Sequence, residues 1–274
     1  VWTLHDYKLI CPVYTCLRNG KTCDECLRDK SNVFKHKCMK NSMAASLLAW
    51  MEAIFWNRKK LSAMTNCFKS PSVFLKSKMK DAVYPDKQIE VLPNFMPRPF
   101  IPSVKKENYY CYLGRLSEEK GVKSLIEAAR ELPYPLKIIG GGPLLDTYKK
   151  EYTEQSIEFL GQMEPEQLYP IVQKARFLVI PSIWYENNPF SIIEALCMGT
   201  PVLGARIGGI PELITEGANG FLFTPNQVSE LSDKIKQCFE YFTDYYDFGE
   251  IAEHAQNKYG AETFYTKLMK IYYE

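Results

Sequence analysis

Short apolar runs recur along the chain, and each ends at a polar or glycine-rich turn. Phe177 to Ile180 is the clearest of them. It reads as a strand buried on both faces, of the kind found in parallel sheets. A polar loop follows, Trp184 to Asn188. Pro189 then sits where a helix should begin, with Asn188 placed to cap it. The helix runs to about Met198, and Gly199 stops it. "TPVLGA" is the next strand. The order strand, loop, helix, strand makes a βαβ unit. Its loop lies at the carboxyl end of a strand, where open α/β sheets bind ligands.

The same pattern extends in both directions. Residues 1–5 read as the end of a strand that the chain leaves at His5-Asp6. Residues 11–40 form a lysine- and cysteine-rich insertion without clear periodicity. Residues 42–60 make an amphipathic helix capped by Ser42, with Trp50, Phe55 and Trp56 on it and Arg58, Lys59 and Lys60 at its end. Core packing is the plainer reading of that helix; a membrane-surface or acceptor-lipid contact also fits. A strand near 63–69 is followed by a helix opening at Ser70-Pro71, and "QIEVLPNF" is a strand ending at Pro93-Asn94. Residues 95–107, with Pro97, Pro99 and Pro102, read as a linker. Beyond it come strands at Tyr109–Leu113, "LKII", "IEFLG" and "GFLF", helices from about Val228, and a tyrosine-rich helical stretch over 252–274. Strands alternating with helices on both sides of the linker predict two parallel-sheet α/β domains.

The totals fit this picture. The chain has 274 residues, 46% hydrophobic and 24% charged, which suits two globular domains. No apolar run reaches the roughly 18 residues of a spanning helix, and no signal peptide is visible. The chain begins in a strand-like run without Met, so a preceding segment is expected. Residues 1–100 hold 17 Lys or Arg against 8 Asp or Glu, and residues 101–274 hold 17 against 24. The basic first part suggests an anionic partner, with a membrane surface preferred; no RNA-binding aromatic motif points to nucleic acid. Five of nine cysteines fall between Cys11 and Cys38. Cys16, Cys23, Cys26 and Cys38 suit either a structural zinc site, with Cys11 or His36 as spare ligands, or free thiols in a reducing compartment.

Two acids frame the βαβ unit, Glu186 in its loop and Glu194 in its helix. Between them, first-turn amides of the helix point outward and form an anion site. Carboxylates accept from hydroxyls and amides donate to phosphate, a combination that a sugar nucleotide requires. Gly114 closes the strand before it, and Arg115 and Lys120 follow. Arg offers a bidentate fork and Lys a mobile point charge to a diphosphate. Gly140, Gly141 and Gly142 let backbone approach a ligand closely.

The E-x7-E pair Glu186 and Glu194, followed by "GTPVLGARIGGIPELI", and the "GR…KG" stretch Gly114 to Gly121 resemble glycosyltransferase family 4. The resemblance implies the GT-B fold, two Rossmann-like domains facing a cleft, the N-terminal one here incomplete. It implies an acceptor-side domain at 1–97, a nucleotide-sugar donor domain at 98–251, and a C-terminal helix at 252–274 packing back on the first. The implied reaction is retaining transfer of a sugar from a UDP- or GDP-sugar to a glycan or lipid-linked acceptor. The resemblance further implies that no metal is required, that the setting is cell-surface polysaccharide synthesis, and that the enzyme would be cytoplasmic or peripheral at the inner face of the membrane. Arg115 and Lys120 would hold the diphosphate, Glu194 the ribose and Glu186 the transferred sugar. His5 would approach that sugar from the acceptor side, and Gly114 and Gly141 would border the nucleotide. The family usually places small glycine-rich residues after the first Glu, whereas this chain has "ENNPF". Pro189 has no amide hydrogen, so Asn188, Phe190 and Ser191 would have to supply the donors. A sugar phosphorylase of the same fold and a non-catalytic donor-binding module are the alternatives.

Overall fold

The structure is a computed structural model that describes residues 1–102, 105–243 and 246–273. The chain divides into two compact units. The first holds Val1–Pro93, Trp184–Asn188 and the chain from Phe264 onward; the second holds Asn94–Ile183 and Pro189–Thr263.

The first unit is built on a parallel three-stranded sheet. Strand β1 (Trp2–Thr3) leads into a long excursion. It contains the hairpin β2 (Leu17–Arg18) and β3 (Lys21–Thr22), then helices α1 (Asn32–Lys35), α2 (Met43–Phe55) and α3 (Arg58–Met64). Strand β4 (Phe68–Ser70), helix α4 (Val73–Asp81) and strand β5 (Ile89–Val91) complete it, in sheet order β1-β4-β5. Phe68 stands opposite both Trp2 and Ile89 and is fully buried.

Four expectations are corrected here. The helix over 42–60 is two helices. Ser42 Oγ caps α2 through the Ala45 amide at 3.3 Å. Asn57 Oδ1 then caps α3 through the Lys60 amide at 3.2 Å, so a second cap interrupts the run after Trp56. Because α3 extends to Met64, the strand near 63–69 begins only at Phe68. The helix after Pro71 starts at Val73, because Ser72 is the residue whose Oγ accepts from the Leu75 amide at 3.1 Å. Core packing of α2 is overturned as well. The helix buries only Ser46 and Ala49, while Leu48 is 67% and Phe55 61% exposed.

The second unit carries six parallel strands: β6 (Tyr110–Leu113), β7 (Leu136–Ile139), β8 (Ile157–Gly161), β9 (Leu178–Ile180), β10 (Val202–Ala205) and β11 (Gly220–Phe223). Their order is β11-β10-β9-β6-β7-β8. The helices are α5 (Val122–Ala129), α6 (Leu145–Glu151), α7 (Pro165–Lys174), α8 (Phe190–Cys197), α9 (Val228–Tyr241) and α10 (Phe248–Tyr259). Strands β9, β10 and β11 are buried at every position, as strands covered on both faces must be. From β6 the chain winds one way to β7 and β8, then returns to place β9 on the other side. The order therefore reverses between β6 and β9, the topological switch point of the sheet.

The stretch over 252–274 is not one helix. Gly260 takes extended dihedrals, φ −68° and ψ 156°, and separates α10 from α11 (Ala261–Tyr273). Part of the expected linker is ordered, since the Met96 amide donates to Tyr259 O at 2.8 Å; residues 103 and 104 of that stretch lie outside the described residues. Lys106, near the end of the same stretch, is buried, donating to Gln173 O at 2.6 Å and Thr200 Oγ1 at 2.9 Å. Burial pushes its ammonium down to about 7.

Candidate active site

The carboxyl ends of β6, β7 and β9 build the site in the second unit. Three glycines make its floor because two loops run in near contact. A Cβ on Gly140 would lie 1.9 Å from Gly114 O, and one on Gly142 would lie 2.4 Å from Leu116 O. Both glycines hold positive φ, 135° and 151°, a region that side chains rarely adopt. The loops are stitched by the Gly114 amide to Ile139 O at 3.0 Å and the Leu116 amide to Gly141 O at 2.8 Å. The Tyr112 hydroxyl crosses above Gly114 to donate to Arg115 O at 2.8 Å. A Cβ on Gly114 would meet that hydroxyl at 2.7 Å. The result is a cavity of about 610 Å³ lined by Gly114, Arg115, Gly141, Pro143, Gln162 and Met163. A larger cavity, about 690 Å³, lies in the first unit among Trp2, Leu9, Trp56 and Tyr84.

Arg115 is exposed and Lys120 half-buried. Lys120 ends a short turn, Glu118–Lys120, that Gly121 closes with φ 67°. Gly121 also lets β9 come close, for a Cβ there would lie 2.0 Å from Pro181 O. The Ile183 amide donates to Glu119 O at 3.0 Å. These contacts hold the Arg115–Lys120 loop against the end of β9, at the switch point. The structure thus brings Gly114, Arg115, Gly141 and Lys120 to one end of one sheet.

Glu194 lies on α8, whose start follows β9. Its Oε1 accepts from the Tyr169 hydroxyl at 3.3 Å. Burial pushes the Glu194 carboxyl up and the Tyr169 bond pulls it partway back. The helix begins at Phe190 with Pro189 in the cap position and no side-chain cap. Asn188 is therefore not the cap; it is 5% exposed and belongs to the first unit. Pro189 cannot donate, so its fixed φ of −64° sets the helix entry instead. Ser191 is half-buried, and Phe190 is 52% exposed.

The remaining predicted residues lie in the first unit. His5 is exposed just past the carboxyl end of β1. Glu186 is 7% exposed, and its Oε1 accepts from the Trp184 indole at 2.9 Å. The loop around it is seated by Tyr185, which packs on Phe74 with centroids 4.9 Å apart and donates to Asp24 Oδ2 at 3.2 Å. Asn187 Oδ1 accepts from Ser72 Oγ at 3.1 Å. Sequence reasoning missed Tyr112, Tyr169 and Gln162. A lone Tyr in a helix or strand, or a Gln in the loop after one, carries no local signal of what it will meet. Trp184, two residues from Glu186, was the one partner that proximity could have flagged.

The family described as glycosyl transferases group 1 matches residues 98–254, more than half of the chain. An uncharacterized glycosyltransferase of Methanocaldococcus jannaschii is 27% identical over 170 residues, 61% of this chain and 48% of that protein. A D-inositol 3-phosphate glycosyltransferase of Corynebacterium efficiens is 32% identical over 182 residues, 60% of this chain and 42% of that protein. The chain thus spans about half the length of these curated relatives, or less. Among solved structures, Anabaena Alr3699/HepE in complex with UDP superposes with a TM-score of 0.68 at 20% identity, covering 85% of this chain and 68% of that one. That likeness shows the fold, which is of the GT-B type. On the match over residues 98–254 the chain belongs to the glycosyl transferases group 1 family.

Proposed function

We propose that the chain is the donor-binding and catalytic part of a retaining family 4 glycosyltransferase, moving a sugar from a nucleoside-diphosphate sugar to an acceptor hydroxyl. One observation carries this reading: the two loops that meet at the switch point of the six-stranded sheet bear Gly114, Arg115 and Lys120 on one side and lead into α8 with Glu194 on the other. Arg115 and Lys120 hold the diphosphate and stabilise the negative charge that grows on the departing phosphate. The first-turn amides of α8, Phe190 and Ser191 among them, add donors. Glu194, already accepting from Tyr169, accepts from the ribose hydroxyls. Glu186 accepts from the transferred sugar, and His5 contacts it from the acceptor side. Residues 1–97 form the acceptor-side domain and 98–251 the donor domain. A UDP-sugar is the first donor to try, since HepE was solved with UDP. The acceptor is a glycan or a lipid-linked one, and the basic residues of 1–100 favour an anionic membrane surface for the latter.

Calorimetry with UDP and turnover with UDP-sugars test this reading. Lys120→Ala and Glu186→Ala are expected to lower kcat/KM at least about tenfold, since a charged contact of this kind contributes more than about 1.4 kcal/mol. A smaller loss in both variants sinks these roles.

A further inference from the structure

The cysteine-rich insertion, residues 11–40, has no task in the glycosyl-transfer reading. Among the described residues no group of three or more ligating side chains is placed to hold a metal ion. One side chain of the insertion does reach out of it, that of Asp24. Asp24 stands at the N-cap position of the turn Glu25–Leu27. An aspartate there ordinarily accepts from amides of its own turn, but this turn has no side-chain cap. Asp24 Oδ2 instead accepts from Lys78 Nζ on α4 at 2.5 Å and from the Tyr185 hydroxyl at 3.2 Å. One carboxylate oxygen thus joins the insertion, α4 and the loop Trp184–Asn188, all three of them in the first unit.

The surroundings of Tyr185 close on the same ring. Phe74 and Lys78 are four residues apart on α4 and so share a face of it. Phe74 packs on Tyr185 with centroids 4.9 Å apart, and Lys78 Nζ lies over the Tyr185 ring at 4.7 Å. The Lys78 side chain is 14% exposed. Burial pulls its ammonium down, and Asp24 more than offsets that, so it stays above the usual lysine value. Two residues along the loop, Asn187 Oδ1 accepts from Ser72 Oγ at 3.1 Å. The chain is therefore pinned on either side of Glu186, at 185 and at 187. That fixes the backbone of Glu186 and leaves its side-chain torsions, which the Trp184 indole restrains by donating to Oε1 at 2.9 Å. A group that must meet a substrate in one geometry needs such support from the residues around it. With Asp24 partly exposed, the ion pair contributes little to folding, so removing it tests placement and not stability.

We propose that Asp24 is a positioning residue for Glu186. Paired with Lys78, it fixes Tyr185, and Tyr185 fixes the carboxylate that meets the transferred sugar. The cysteine-rich insertion is thereby an arm of the sugar site. The sugar contact of Glu186 rests on the function proposed above, whereas the clamp on its loop does not. Amide hydrogen exchange on the full chain reads the clamp, and turnover with UDP-sugars reads its use. Asp24→Ala and Tyr185→Phe should each speed exchange across residues 184–188 at least about tenfold and leave β9 unchanged. Both should lower kcat about tenfold, while calorimetry keeps the Kd of UDP within about twofold at unchanged stoichiometry. A general loss of structure would instead lower that stoichiometry. Added to Glu186→Ala, Asp24→Ala should change kcat by less than about twofold, because it acts through Glu186. Asp29→Asn, on the same insertion but paired with Lys35, should alter neither readout. Unchanged exchange in both clamp variants overturns the proposal. Faster exchange with unchanged kcat, in a chain that Glu186→Ala does slow, overturns the positioning role and leaves the sugar contact standing. If Glu186→Ala does not slow the chain, the sugar contact itself fails and the role of Asp24 falls with it.

Discussion

The two units use their apolar residues in opposite ways. In the second, Tyr110, Phe177, Leu178 and Val179 are essentially inaccessible, and Tyr110 stacks on Phe177 with centroids 5.3 Å apart. In the first, three short strands carry the sheet, and α2 turns Leu48, Met51 and Phe55 outward. Lys60 sits over the Phe55 ring at 3.9 Å and the Trp56 ring at 4.5 Å. A layered sheet fixes its own interior; a unit with three two- or three-residue strands leans on loops. Glycine has a different meaning in each. In the second unit it permits close approach of two backbones, and in the first, at Gly20, it merely turns the chain.

Substitutions can break that comparison, and the largest effect belongs to the second unit. Phe177→Ala removes a fully buried ring and should cost about 3–5 kcal/mol in urea unfolding; Leu48→Ala, on the exposed face of α2, should change stability by less than about 0.5 kcal/mol. Next comes Gly140→Ala. Its Cβ would clash with Gly114 O in a left-handed region, so a loss of about 3 kcal/mol is expected. Gly20→Ala meets nothing within 4 Å and should cost only about 1 kcal/mol, from its φ of 72° alone. Equal losses at Gly140 and Gly20 would show that the stitched loops are not as tight as the structure has them.

The last effect is one of pH. Lys106 titrates near 7 when folded and near 10.4 when unfolded. Between those values the unfolded chain binds the extra proton, so stability rises with pH across that window. Lys106→Met should remove that rise in urea midpoints taken across it.

The sequence carried more of the second unit than of the first, for physical reasons. A strand covered on both faces announces itself as an unbroken apolar run, which is why β9, α8 and β10 were readable from Phe177 to Ala205. Gly114, Arg115 and Lys120 were readable because a strand, a glycine and cations occur in sequence order. The first unit defeated periodicity. Asn57 caps a helix in the middle of what reads as one continuous helix, and the exposed stripe of α2 has the same spacing as a buried one. Periodicity tells which residues share a face but not whether that face is covered. The cap expected of Asn188 failed for a similar reason: Pro189 can start a helix or precede its start, and its dihedrals alone do not choose. Tyr169 on Glu194 joins residues 25 apart in the chain, a meeting that only the folded chain reveals.

The hydrogen bond from the Trp184 indole to Glu186 makes the loop its own optical reporter. Any molecule that takes over that carboxylate oxygen strips the indole of its acceptor, and indole emission responds to just such a change. With Trp2, Trp50 and Trp56 replaced by Phe, the fluorescence of the one remaining tryptophan would follow occupancy in real time, without a label.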